Sequence, residues 1–163
     1  MTGTAEITGV PAPPYLSGEP DADARGSAYC TSSPYFTWRN SLSASAISRV
    51  TGVDDVRGVT IIVRWPDGRA RTVRVQSSDG AAHDFEGHHF YSRASAVLGY
   101  KVVPSALFEI SNRNDGSFEL DGHGVGHGVG MCQWGANGRA SAGQRASAIL
   151  AAYFPGTVVA SAP

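Results

Sequence analysis

The most informative stretch of this chain is residues 122–136, GHGVGHGVGMCQWGA. Five glycines alternate with other residues from position 122 to position 130, and glycine allows backbone conformations that are closed to other residues. The spacing fits neither a dinucleotide-binding fingerprint nor a phosphate-binding loop, because the third glycine is misplaced and no lysine follows. The stretch therefore predicts an irregular loop that approaches a ligand closely and runs into the N-terminus of a helix.

Length and composition place the chain among ordinary globular domains. It has 163 residues, of which 42% are hydrophobic and 17% are charged, and its net charge is -1 at pH 7. A chain of this size buries enough apolar surface for a core, and its charge balance argues against a disordered tail and against a nucleic-acid partner. No apolar run approaches the length of about 18 residues that a membrane span needs, and we expect no signal peptide because the N-terminus lacks that pattern.

The remaining sequence predicts mainly antiparallel strands with short helices, which is an α+β fold. Residues 1–34 contain five prolines and are expected to be irregular. Ser43 is placed to cap a short helix that ends near Val50, and Pro66-Asp67-Gly68 is expected to join two strands as a hairpin turn. Spacing predicts further strands at residues 35–39, 106–110, 117–120 and 158–160, and helices at residues 87–98, 131–142 and 144–153.

The chain has two cysteines, Cys30 and Cys132, which lie far apart in the sequence. Their number fits a disulfide, two separate thiols or half of a metal site, and the count alone does not choose among these. His123 and His127 would complete a set of two histidines and two cysteines, but the spacing matches no zinc pattern. We therefore assign no metal and no cofactor from the sequence, and we expect His127 to fix the loop or to contact a polar ligand.

The C-terminal third of the chain resembles the signature of the SpoIID/LytB domain family. The similarity runs from residues 126–136, through Gly138-x-Ala140-x-x-Gly143 and residues 149–150, to the segment YFPGT at 153–157. A looser similarity extends upstream to Trp38, to the hairpin turn and to the segments PYL and GTA near the N-terminus. The resemblance implies an α+β domain in which residues 35–163 are the C-terminal portion and residues 1–34 are a remnant of the upstream part.

The family includes the sporulation protein SpoIID, a lytic transglycosylase of peptidoglycan, and amidase enhancers. Its catalytic glutamate lies on a helix in the N-terminal half of the domain, and no segment of this sequence matches that helix. Such an acid has to protonate the leaving oxygen from a partly desolvated cleft. None of the glutamates present has such a context, so we assign no catalytic residue and expect no transglycosylase activity from this chain alone. They are Glu6, Glu19, Glu86, Glu109 and Glu119.

The retained part of the domain would supply one wall of a glycan-binding cleft, where sugars need hydrogen-bond partners and an aromatic platform. The resemblance implies polar contacts from His127 and Gln133, with His123 beside them. Trp134 is either a sugar platform or a core residue beneath the loop. Tyr153 either places its hydroxyl in the cleft or packs the end of its helix.

Two functions of different class follow from the resemblance: part of a lytic transglycosylase, or a non-catalytic module that binds the wall or enhances an amidase. Both imply a location outside the cytoplasmic membrane at the bacterial cell wall. Both also imply peptidoglycan glycan strands as the ligand, a cell-wall amidase as a second partner and no nucleic acid. In that oxidising setting we expect Cys30 and Cys132 to form a disulfide that ties the irregular lead to the helix after the loop.

Overall fold

The computed structural model describes residues 13–16 and 20–160 of the chain. These residues form two three-stranded antiparallel sheets and four α-helices, which confirms the α+β class predicted from the sequence. The elements in chain order are β1 (Thr37–Ser43), α1 (Ala44–Thr51), β2 (Val56–Arg64), β3 (Ala70–Ser77), β4 (Ala82–Glu86), α2 (Gly87–Leu98), β5 (Phe108–Asn112), β6 (Ser117–His123), α3 (Gln133–Ser141) and α4 (Ala146–Tyr153). Within the described ranges, no helix combines the length and the apolar character that crossing a membrane requires.

The chain divides into two compact units. The first consists of Met1–Phe36 with Gly128–Pro163 and contains α3 and α4. The second, Thr37–His127, contains both sheets together with α1 and α2. The irregular lead therefore shares a unit with the two C-terminal helices, and the boundary falls inside the glycine-rich stretch.

In the second unit, the hairpin of β2 and β3 turns where the sequence predicts it. The N–H of Gly68 donates to the carbonyl of Trp65 at 2.9 Å, and Gly68 has a φ of 87°, which favours glycine. Val59 lies opposite Val75, and both are completely buried. Val63, four residues along the same strand, is 41% exposed, and the register of β2 against β3 shifts before that residue.

The predicted cap of α1 is confirmed. The side chain of Ser43 accepts a hydrogen bond from the N–H of Ala46 at 3.1 Å, which satisfies one of the free donors at the helix start. Ile47 and Val50 are buried on the inner face of the helix. Gly52 ends the helix in the left-handed conformation with a φ of 78°.

The core of the second unit contains residues of both sheets and both helices. Phe108 lies at its centre, with the ring of Phe90 at 6.2 Å and the ring of Trp38 at 6.3 Å between centroids. Asn112 links β5 to β2, because its side-chain amide accepts from the N–H of Val59 at 2.9 Å and donates to the carbonyl of Val59 at 3.0 Å. This amide pairs the backbone of β2 as a neighbouring strand would, and so holds the two sheets together.

The first unit contains the two C-terminal helices and an irregular lead. Asp23 folds the lead into a tight turn, because its Oδ1 accepts from the N–H groups of Arg25 and Ser27 at 2.8 and 2.9 Å. Gly143, with a φ of 83°, separates α3 from α4 as predicted. The strand predicted at residues 158–160 is wrong: among residues 13–16 and 20–160, none pairs with this segment as a strand, and Val158 is 89% exposed. The first strand begins at Thr37, two residues later than predicted.

Candidate functional site

The carboxylate of Asp21 joins the lead of the first unit to both of its helices. Its Oδ2 accepts a hydrogen bond from the hydroxyl of Tyr153 at 2.5 Å, and its Oδ1 accepts from the Nε of Arg139 at 2.9 Å. The side chains of Asp21 and Arg139 are 19% and 12% exposed, and Tyr153 is only 3% exposed. Because this ion pair is largely shielded from water, removing either partner would leave a poorly solvated charge.

Two glycines on one face of α3 allow the lead to come this close. A Cβ at Gly135 would overlap both the carboxylate of Asp21 and the hydroxyl of Tyr153. A Cβ at Gly138, one turn later, would overlap the backbone carbonyl of Tyr29. These glycines serve close approach, since residues i and i+3 of a helix lie on the same side.

The guanidinium of Arg139 is enclosed by aromatic rings and by polar groups. It lies 4.5 Å from the ring centroid of Tyr29 and 5.3 Å from that of Tyr153, within the range of a cation–π interaction. Its Nη1 donates to the side-chain oxygen of Gln144 at 3.3 Å, and the amide nitrogen of Gln144 donates to the Tyr29 hydroxyl at 3.0 Å. Asp21 is therefore bonded directly by Arg139 and Tyr153, and Gln144 in turn bonds to Arg139.

The two cysteines meet beside this carboxylate. The sulfur atoms of Cys30 and Cys132 and a carboxylate oxygen of Asp21 all lie within 4.8 Å of one another. Cys132 caps α3, because its Sγ accepts from the N–H of Gly135 at 3.3 Å. Both cysteines are free thiols in the structure, so the disulfide expected from the sequence stays a prediction.

Burial and neighbouring groups raise the pKa values of two residues in this cluster. Burial raises the pKa of Tyr153 well above its usual range, and the adjacent carboxylate of Asp21 raises it further. Burial also raises the pKa of the Cys30 thiol, and Cys132 and Asp21 add to that shift. At neutral pH the phenol and this thiol are therefore protonated, and neither is an activated nucleophile.

The glycine-rich stretch has the backbone that its composition predicts. Gly124, Gly126, Gly128 and Gly130 have φ values of 69°, 99°, 82° and 77°, which other residues rarely adopt. In the second unit the loop is anchored at its carbonyl and amide groups, because Gly124 accepts from the indole nitrogen of Trp38 at 3.0 Å. The N–H of Gly126 donates to the carbonyl at position 104 at 2.9 Å. The loop is therefore held by its backbone although His123, Val125 and His127 are exposed.

The side chains predicted to contact a ligand fall into two groups. His123 and His127 are exposed on the second unit, whereas Gln133 and Trp134 are exposed in the first turn of α3 on the first unit. Trp134 is 37% exposed, so the interpretation as a core residue beneath the loop is wrong. Tyr153 is buried and bonded to Asp21, which matches the alternative in which it packs the end of its helix.

The described glutamates belong to the second unit, where Glu86 and Glu109 are exposed and Glu119 is partly buried. Glu109 pairs with Arg64, and Glu119 pairs with Arg113. Glu86, 3.4 Å from the Nδ1 of His89, borders a surface groove of about 470 Å³ beside α2. That placement corrects the expectation that no glutamate adjoins a cleft, but the Glu86 side chain is 71% exposed and well solvated. Two of the five glutamates, at positions 6 and 19, lie outside the described residues.

Comparison with known proteins gives two partial matches. The chain is 35% identical over 89 residues to an uncharacterized protein of Brachyspira hyodysenteriae, which covers 55% of this chain and 22% of that protein. It is 37% identical over 70 residues to a protein of Bacillus subtilis named amidase enhancer, which covers 43% of this chain and 10% of that protein. No protein-family model matches the chain. The matches thus span about a fifth and a tenth of these curated relatives.

Sequence reasoning missed Asp21, whose carboxylate bonds the lead to both helices of the first unit. Its neighbourhood is rich in proline, glycine and acidic residues, a composition that is typical of a solvated loop. The signal that could have found it is the pair Gly135 and Gly138, because two glycines spaced by a helical turn inside a helix indicate that another backbone approaches there. Which segment approaches is a property of the tertiary structure alone.

Proposed function

We propose that this chain is a cell-wall module of the SpoIID/LytB type, which binds the glycan strands of peptidoglycan outside the cytoplasmic membrane. Two observations support the family: the signature in residues 122–157, and the partial similarity to a protein named amidase enhancer. The proposal concerns binding, because Glu86 and Glu109 are well solvated and the less exposed Glu119 is paired with Arg113, so none of them has the setting that raises the pKa of a catalytic acid.

The observation that carries the proposal is the exposed first turn of α3. Trp134 is 37% exposed, and the neighbouring Gln133 is exposed as well, which makes an aromatic ring and an amide available at this turn. A sugar ring stacks on such a face through its apolar C–H side, while its hydroxyl and N-acetyl groups take hydrogen bonds from an amide. Met131, 39% exposed, extends the apolar surface at the same end of the helix.

Two contacts within the first unit hold this turn of α3 in place. Cys132 caps the helix on which Gln133 and Trp134 lie, and Gly135 rests against Asp21. A helix anchored in this way keeps its backbone fixed, so that less backbone entropy is lost on binding. His123 and His127 are exposed on the other compact unit, and their contribution to glycan binding is a separate proposal with its own variant.

The direct test is sedimentation of the purified protein with insoluble peptidoglycan sacculi. Trp134→Ala and Gln133→Ala should each reduce the bound fraction, with the larger loss for the tryptophan because stacking on an aromatic face is removed. Tyr100→Ala is the matched control, since Tyr100 is an exposed aromatic at 59% outside the signature. Equal binding of the tryptophan variant and this control would contradict the proposal.

A second function is favoured by the name of the Bacillus subtilis relative. A module that holds glycan strands and also contacts a cell-wall amidase raises the local concentration of that enzyme at its substrate. The test measures peptide release from sacculi by a purified amidase with and without this protein. If the protein stimulates the amidase and Trp134→Ala removes this stimulation, the two functions share one surface. If the amidase rate does not change, glycan binding is the one function that this experiment supports.

A further inference from the structure

The cluster of Asp21, Cys30 and Cys132 has the composition of a metal centre. Its three donor atoms come from two distant parts of the chain and lie within 4.8 Å of one another. We propose that this cluster binds one zinc ion through the two thiolates and the carboxylate, with a water molecule in the fourth position. The inference does not depend on glycan binding, because the site is built from other side chains of the first unit.

The separation of the donors suits a tetrahedral zinc site. Zinc binds sulfur at about 2.3 Å and carboxylate oxygen at about 2.0–2.2 Å, so neighbouring ligands of a tetrahedron lie roughly 3.5–3.8 Å apart. Donors within 4.8 Å of one another reach that spacing by small side-chain rotations. Two thiolates favour zinc over magnesium and calcium, which prefer oxygen ligands alone.

The groups around the donors already hold them as metal ligands are held. Arg139 and Tyr153 donate to the two oxygens of Asp21, and the N–H of Gly135 donates to the sulfur of Cys132. Such outer hydrogen bonds orient metal ligands and are a regular part of metal sites. A disulfide would need the two sulfurs but not a carboxylate at the same distance, so Asp21 is the feature that favours a metal.

The charges of the cluster balance when zinc is bound. Two thiolates and one carboxylate carry three negative charges, and the guanidinium of Arg139 contributes one positive charge beside them. A divalent cation makes the sum zero, and its binding releases the thiol protons. Cys132 is exposed whereas Cys30 and Asp21 are partly buried, which leaves a route from solvent and an open fourth position.

The test is a zinc titration of the fully reduced protein against a chromophoric chelator, followed by the same titration with Co²⁺. We expect one ion per chain and, with Co²⁺, the charge-transfer absorption that thiolate ligands produce. Cys30→Ser should weaken zinc binding by more than about 100-fold, since loss of outer-shell partners alone already weakens binding by about 10–100-fold. Asp54→Asn, an exposed acid in the other unit, is the control and should bind as the parent does.

A second variant keeps the proposal testable if Cys30→Ser does not fold. Asp21→Asn keeps one side-chain oxygen that can accept from Arg139, and its amide nitrogen can donate to the hydroxyl oxygen of Tyr153. The fold of this variant is verified by circular dichroism while zinc affinity falls. Three results would overturn the proposal. The first is a disulfide in the natively produced protein, seen as a mass two hydrogens lower than that of the reduced chain and as the absence of titratable thiols. The second is that the reduced protein binds no zinc. The third is that neither variant changes zinc binding.

Discussion

Asp21 accepts a hydrogen bond of 2.5 Å from the hydroxyl of Tyr153, a residue 132 positions later in the chain. The bond connects an irregular proline-rich lead to the end of the last helix, α4. The Nε of Arg139 donates to the other oxygen of the same carboxylate, from α3. One carboxylate of the lead is therefore bonded to both helices of the first compact unit, and its contribution to stability can be measured.

Tyr153→Phe removes the hydroxyl and leaves the ring in place. We expect the free energy of unfolding to fall by about 1–3 kcal/mol, the usual range for loss of a hydrogen bond to a charged acceptor. Urea unfolding followed by circular dichroism gives this number. Tyr100→Phe is the control because Tyr100 is exposed, and an equally small effect of both changes would show that the bond to Asp21 does not stabilise the fold.

Gly135→Ala tests the close approach of the lead to α3. Inside a helix this change normally stabilises by about 1 kcal/mol, but here the new Cβ would overlap Asp21 and Tyr153. We expect a net loss of about 1–3 kcal/mol from overpacking, seen as a lower Tm. Asn137→Ala, at an exposed position of the same helix, should leave Tm unchanged or raise it slightly. A higher Tm for Gly135→Ala would show that the lead is not packed there.

The stability of the second unit should depend on pH through His88. Burial lowers the pKa of His88, the neighbouring His89 and His127 lower it further, and Glu86 partly opposes the shift. Because the folded pKa lies below the unfolded value, the unfolded chain binds more protons between the two. Stability is therefore complete above about pH 6.5 and falls as the pH drops through the window below it. Chemical denaturation between pH 5 and 8 should show the free energy of unfolding falling toward low pH. His88→Gln should make this fall smaller. If the fall is unchanged in the variant, other groups cause it.

Two substitutions in the glycine-rich stretch should affect different properties, one the stability of the fold and the other the binding of peptidoglycan. Gly130→Val places a β-branched side chain at a φ of 77° and should destabilise the first unit. His127→Ala, at an exposed position, should leave Tm nearly unchanged and weaken sedimentation with sacculi. A large fall in Tm for His127→Ala, with normal binding by the folded fraction, would make this histidine a structural residue.

The chain by itself should not cleave glycan strands. A positioned acid contributes about 10²–10⁴-fold to such a reaction, and the described glutamates are solvated or paired with arginine or histidine. Mass spectrometry of sacculi incubated with the protein should find no 1,6-anhydro-muropeptides. Should such products form, Glu86 is the first residue to test, and Glu86→Gln should abolish them because Glu86 borders the groove beside α2.

Much of the second unit follows from local sequence. Ser43 caps α1 through an interaction that spans three residues, and Gly68 turns the hairpin through its own backbone conformation. Interactions of this range depend on residues that are neighbours in the chain, so residue types and spacing determine them. The exposed glycine-rich stretch follows in the same way, since alternating glycines both permit positive φ values and provide little apolar surface to bury.

The tertiary structure alone decided what lies at the centre of the first unit. Asp21 and Cys30 meet Cys132 and Tyr153 only because α3 and α4 pack against the lead, across more than a hundred positions of sequence. Residues 158–160 show the converse: their composition favours a strand, but a strand needs a partner to satisfy its backbone groups, and none pairs with them within the described chain. Local preference sets the elements, whereas long-range packing determines which polar groups share a site and which strands form.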